Sequence, residues 1–209
     1  MIDKDFFLTY LNSLYPHTEC FLNHQTDYQL LFAVILSAQT TDKKVNSVTS
    51  SLFKKYDSLK KIEEADISDL EEILKPLGLY KNKAQYLKDA ASVLIKRFDG
   101  KVPCNREDLL TIPGVGNKTA CVILGELFSF PVIPVDTHIK RISKRLGLSK
   151  REDPSLIQKD LEKRFKGCGI DFHRQLILFG RNICKAVSPK CNECSLKDRC
   201  PFYSSLNSK

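Results

Sequence analysis

Apolar residues recur every three or four positions along nearly the whole 209-residue chain, and that helical period leaves few other folds open to it. Val45, Val48, Leu52 and Tyr56 share one face of residues 41–56, behind a Thr41/Asp42 cap. Ser68 and Glu71 predict a capping box ahead of Leu70, Leu74 and Leu77. Lys83–Phe98 places Tyr86, Leu87, Ala90, Val93 and Leu94 at helical spacing, and further helices are predicted over Lys118–Phe128, His138–Leu146, Pro154–Phe165 and Phe172–Val187. No segment alternates long enough to predict a strand, and the short Val132–Val135 run is broken by Pro134. The expected fold class is therefore all-α. There is no internal repeat, and the one shift in composition is a rise in cysteine after residue 184.

The charge balance is basic, with 33 Lys and Arg against 25 Asp and Glu. That excess favours a polyanionic partner, of which nucleic acid is the commonest, although a membrane surface or simple solubility would also account for it. The opening residues, MIDKDFFLTYLNSLYP, lack the basic, apolar and small-residue regions of a secretory signal. The most apolar run, Leu30 to Leu36, is too short to span a bilayer. A reducing cytoplasmic location without a membrane partner is expected, and there eight cysteines call for an explanation other than disulfides.

Residues 107–128, EDLLTIPGVGNKTACVILGELF, read as helix, tight turn, helix. Gly114 and Gly116, flanking Val115, can adopt backbone angles closed to other residues and lack side chains that would hold a phosphate away. The next helix directs its free N–H groups and positive dipole end at the turn, a sequence-independent clamp for one DNA phosphate. A nucleotide P-loop is excluded, because Asn117 separates Gly116 from Lys118 and a helix precedes the turn. A plain αα-hairpin with close-packed glycines stays open on these residues alone.

Lys118 falls in the first turn of that helix, where the dipole disfavours the ammonium form and so favours a nucleophilic amine. A carboxylate such as Asp136 could stabilise positive charge on a reacting sugar, or it could simply cap the helix that follows. Cys184, Cys191, Cys194 and Cys200 form a C-x6-C-x2-C-x5-C pattern able to surround one metal centre. The spacing alone leaves zinc and an iron–sulfur cluster level. Cys20, Cys104, Cys121 and Cys168 are scattered.

Ile112-Pro113-Gly114-Val115-Gly116-Asn117-Lys118-Thr119-Ala120 resembles the helix–hairpin–helix of the endonuclease III family of DNA glycosylases. The resemblance continues, in order and over essentially the whole chain, through Leu36-Ser37-Ala38-Gln39, Gly78-Leu79-Tyr80, Val135-Asp136-Thr137-His138 and the cysteine spacing. It implies two helical lobes with a DNA-binding cleft between them. Residues 20–130 would form a six-helix lobe ending in the hairpin, and residues 1–19 with 131–209 a cluster lobe.

The same resemblance implies a [4Fe–4S] cluster on Cys184, Cys191, Cys194 and Cys200. It implies Lys118 as Schiff-base nucleophile and Asp136 as catalytic carboxylate. Gln39 and Leu79 would enter the duplex as a base leaves the stack, and Gly114, Val115, Gly116, His138 and Lys190 would contact DNA. The expected partner is double-stranded DNA bearing damaged bases or abasic sites. The chain is expected to act as a monomer in the cytoplasm, associated with the nucleoid. An adenine-mismatch glycosylase is an alternative, but those relatives generally lack the lysine and carry a further C-terminal domain, whereas this sequence runs nine residues past Cys200. A non-catalytic hairpin protein would need neither Lys118 nor Asp136. Two departures stand out: Asn117 where many relatives have Arg, and a less basic cluster loop, KAVSPK.

Overall fold

The computed structural model describes residues 2–207, and among these every regular element is helical. In chain order the α-helices are Lys4–Leu14 (α1), Asp27–Leu36 (α2), Asp42–Lys55 (α3), Leu59–Glu64 (α4), Ile67–Leu74 (α5), Tyr80–Phe98 (α6), Arg106–Leu109 (α7), Asn117–Phe128 (α8), Thr137–Arg145 (α9), Pro154–Arg164 (α10), Ile170–Asn182 (α11) and Pro201–Asn207 (α12). The chain divides into two compact units: Cys20–Phe128, and the segment up to Glu19 together with everything from Ser129 on.

The Cys20–Phe128 unit is built around α2, whose residues Leu30 to Leu36 are all buried. A helix apolar all round must be enclosed, and α3, α6 and α8 pack against it. The long α6 is covered by α4 and α5 on its remaining apolar face. Side-chain caps start several of these helices: Thr26 accepts from Gln29 N–H, Ser58 from Lys61 N–H and Asn105 from Asp108 N–H.

The other unit gathers the chain's two ends. Phe7 of α1 meets Phe165, Phe172 and Phe179 edge-on, with ring centroids 5.9, 6.1 and 6.4 Å away. Phe7, Phe165 and Phe179 are fully buried, so this aromatic cluster holds α1 against α11.

Several local expectations need correction. The cap of α5 is Asp66, whose carboxylate accepts from Ser68 N–H at 2.8 Å, so the Ser68/Glu71 box does not form. Ala65 ends α4, and Asp66 alone separates it from Ile67, so the new helix is capped two residues before the predicted cap. Thr41 does precede α3 but makes no side-chain cap bond. The predicted Phe172–Val187 helix stops at Asn182, because the carbonyls of Cys184, Lys185 and Ala186 are taken by Arg141 and Arg145. Val187 is left 80% exposed.

Candidate functional site

The hairpin joins α7 to α8 through Pro113–Gly116. Gly114 has φ +82°, and a Cβ there would come within 2.9 Å of Ile35 Cγ2 and 3.1 Å of the Tyr86 side chain. Both its conformation and its packing against α2 and α6 require glycine. Val115 is buried, and its N–H donates to the Ile112 carbonyl at 3.0 Å, closing the turn. Gly116 is different: a Cβ there would meet nothing within 4 Å. The internal packing does not need this glycine, so the open space is available to a ligand.

The first hydrogen bond of α8 runs from Ala120 N–H to the Gly116 carbonyl at 2.9 Å. The amides before Ala120 therefore have no helical acceptor and lie at the positive end of the helix. Lys118 is exposed in this first turn. Arg106, on α7, donates to Asn117 Oδ1 at 3.0 Å, so a guanidinium lies beside Asn117.

Gln39 and Leu79 occupy two turns of the same unit, and both hold left-handed backbone, with φ 55° and 49°. For residues with a Cβ this costs roughly 1 kcal/mol or more each. Gln39 is exposed, and Leu79 is 56% exposed despite being apolar. The two turns are joined by Thr40 Oγ1, which donates to the Leu77 carbonyl at 2.8 Å.

In the other unit, Asp136 is the N-cap of α9, its Oδ1 accepting from Ile139 N–H at 2.8 Å. It is half-buried, and the cap occupies Oδ1. His138, in the first turn, is also half-buried, with Nδ1 3.2 Å from the Arg141 guanidinium. Burial pushes its pKa below the usual 6.5, while the Asp136 charge pulls the other way.

The same helix reaches the cysteine loop at its far end. Arg141 Nε donates to the Cys184 carbonyl at 3.1 Å, and its Nη2 to the Gly180 carbonyl at 2.8 Å. Arg145 donates to the Lys185 and Ala186 carbonyls at 2.6 and 3.0 Å, lies 3.6 Å from Cys184 Sγ, and stacks on Phe202 at 4.2 Å. Sequence reasoning missed both arginines. Their one local signal was a four-residue spacing that puts them on one face of α9, downstream of Asp136.

All four cysteines of the C-terminal pattern line a single cavity, alongside Leu146, Phe179 and Ile183. Burial first, then the neighbouring thiols of Cys184 and Cys200, push the Cys191 thiol above the usual 9.0. Thiols gathered around one cavity in this way suit a cationic centre. Among the described residues no three His, Cys, Asp or Glu are gathered closely enough to hold a metal ion. Four thiols lining one cavity are the all-sulfur donor set that an iron–sulfur cluster takes. Lys190 pairs with Glu193 at 3.0 Å on the exposed side of this loop.

Residues 32–167 match the model of the HhH-GPD superfamily of base excision DNA repair proteins, and residues 184–200 match the iron-sulfur binding domain of endonuclease III. The second match begins at Cys184 and ends at Cys200. Endonuclease III of Synechocystis sp. is 43% identical over 93% of this chain and 90% of its own length. The Bacillus subtilis protein of that name is 41% identical over 94% and 90%. The chain belongs to the endonuclease III family. A [4Fe–4S] cluster is the cofactor that goes with this membership. A solved endonuclease III, trapped as a covalent intermediate with DNA, is 38% identical with a TM-score of 0.91, covering 99% of this chain and 100% of that one. In the second unit of this family member the expected contacts are less uniform, because Lys190 already has an acidic partner and His138 is half-buried.

Proposed function

We propose that the chain excises oxidised pyrimidines from duplex DNA with Lys118 as nucleophile, and then cleaves the abasic site by β-elimination. The observation that carries this reading is Lys118 itself, exposed in the first turn of α8 two residues after a glycine that the fold leaves open. It agrees with membership of a family of base-excision glycosylases with lyase activity.

On this reading Gly116 and the free amides of α8 hold one backbone phosphate, which sets Lys118 at the sugar of the extruded nucleotide. The neutral lysine amine attacks the anomeric carbon, the bond to the base breaks, and the base leaves with the electron pair and takes up a proton. The opened sugar is then an imine on Lys118 Nζ. Loss of a proton from the adjacent carbon expels the 3′ phosphate, and water releases the lysine. Asp136 is assigned the carboxylate that stabilises the positively charged sugar and accepts the lysine's proton. Gln39 bonds the orphaned base and Leu79 acts as the apolar wedge.

Cys184, Cys191, Cys194 and Cys200 would hold the [4Fe–4S] cluster, whose contribution when bound is to cross-link the C-terminal loop. Gly114 and Val115 shape the hairpin, while His138 and Lys190 add contacts to DNA, Lys190 by leaving Glu193 for a phosphate. The site of action is chromosomal DNA in the bacterial nucleoid.

The test is a duplex containing thymine glycol, treated with protein and borohydride, with Lys118→Gln as control. A covalent protein–DNA adduct that disappears in the variant is expected. Base release without any adduct would instead make the protein monofunctional, and Lys118 no nucleophile.

A further inference from the structure

Among the described residues Lys83 is the one buried lysine or arginine, only 3% exposed, and no carboxylate pairs with it. Its Nζ donates to Thr40 Oγ1 at 2.8 Å and to the Leu77 carbonyl at 3.2 Å. The Thr40 hydroxyl in turn donates to that same carbonyl. One ammonium, one hydroxyl and one carbonyl thus close a polar triangle between the residue after Gln39 and the residue two before Leu79. The Lys83 N–H makes the ordinary first-turn bond of α6 to the Leu79 carbonyl at 3.0 Å, so the side chain reaches back to Leu77 from the turn at which that helix begins.

A buried cation with no anion is an unfavourable choice for packing alone, and Leu or Met would fill the same volume without desolvation. Burial, and then the nearby Lys44 charge, hold the ammonium below its ordinary range. What the arrangement secures is specific. The two turns it joins are those whose exposed residues, Gln39 and Leu79, are held in left-handed backbone without being glycine. Left to themselves, such residues relax to ordinary angles and swing their side chains away.

We propose that Lys83 is a positioning residue for base extrusion, locking the Gln39 turn to the Leu79 turn so that both side chains enter the duplex as one preorganised unit. The inference rests on the reading of Gln39 and Leu79 as the residues that enter the helix. Prior fixing of both turns removes the ordering cost that would otherwise fall on the extrusion step. Lys83 itself touches no DNA in this scheme.

The experiment uses the full-length cluster-loaded protein and a duplex with a damaged pyrimidine opposite 2-aminopurine, whose fluorescence reports unstacking of the orphaned base. Wild type, Lys83→Met, Thr40→Val, the Lys83→Met/Thr40→Val pair, Gln39→Ala and Leu79→Ala are compared for three quantities: the fluorescence change with single-turnover base release, strand cleavage at a preformed abasic site, and thermal midpoint. For Lys83→Met we expect base release to fall about tenfold or more with a matching loss of the fluorescence change, and abasic-site cleavage to stay within about threefold. Thr40→Val should repeat the pattern, and the double variant should be no worse than the more impaired single one. Equal loss of all activities with a lowered midpoint would make Lys83 merely structural and overturn the proposal. So would normal extrusion in Lys83→Met and Thr40→Val while Gln39→Ala and Leu79→Ala are impaired. Normal extrusion in Gln39→Ala and Leu79→Ala would overturn the underlying reading as well.

Discussion

At the scale of single residues, the two hairpin glycines separate what the fold needs from what the ligand needs. Gly114→Ala forces a Cβ against Ile35 and Tyr86 at a left-handed position, and should cost about 1–3 kcal/mol of stability. Gly116→Ala meets open space, so the unfolding free energy from urea titration should change by less than about 0.5 kcal/mol while affinity for duplex DNA falls about tenfold. Loss of stability without loss of affinity in Gly116→Ala would remove the phosphate role. Asp136 allows a similar separation, since Asn caps a helix nearly as well as Asp. Asp136→Asn should therefore keep the midpoint of wild type but lose at least about a hundredfold in base release, as removal of a catalytic carboxylate does. Equal activity would leave Asp136 a cap and nothing more. His138 gives a pH test. Its folded pKa lies below the 6.5 of the unfolded chain, so the unfolded state binds the proton first. Stability is unaffected above that value and falls as pH drops through 6.5 toward the folded pKa. Urea midpoints of His138→Asn between pH 7.5 and 5.5 should fall less than those of wild type, and parallel curves would contradict the shift.

At the scale of elements, α9 connects two features that sequence patterns treat as separate. Its N-cap is Asp136, and Arg141 and Arg145 on the same helix tie down the backbone of residues 184–186. Gly180 on α11 makes this possible, because a Cβ there would sit 3.0 Å from His138 Cβ and 3.1 Å from the Arg141 guanidinium. Arg145→Met should loosen the cysteine loop without unfolding α9, seen as faster bleaching of the cluster's visible absorbance by chelator. An unchanged bleaching rate would mean that the thiolate ligands alone hold the loop. The amphipathic helices α3, α5, α6 and α8 to α11, the hairpin and the cysteine spacing were legible in the sequence, because each is a pattern among residues close together in the chain. Arg141, Arg145 and Lys83 were not, because their partners lie many residues away and nothing local marks a lysine as buried. The left-handed backbone at Leu79 was equally hidden, since turn rules look for glycine or asparagine there and find the glycine one residue early. The choice of Asp66 over Ser68 shows the limit of capping rules, as both residues satisfy them and the position of the preceding helix decides.

At the scale of the whole molecule, the two units depend on different sources of stability. Cys20–Phe128 encloses an apolar helix within others and needs no covalent or metal support. The chain beyond Ile183 is unlike this. Its two short 3-10 turns, Cys191–Glu193 and Lys197–Arg199, contain no buried residue, and Leu196 and Cys200 are the buried side chains described in that stretch. So little apolar burial does not offset the entropy of ordering some two dozen residues at about 1 kcal/mol or more each, and the cluster must do so. Removing it by oxidation and chelation should therefore expose residues 184–207 to rapid amide exchange and to proteolysis, while α2, α6 and α8 keep their protection. Peptide-resolved exchange on the intact chain, with and without the cluster, measures this directly. Uniform loss of protection in both units would mean that the cluster supports the whole fold. Unchanged protection of residues 184–207 would mean that Arg141, Arg145 and the Phe202 stack hold the loop alone.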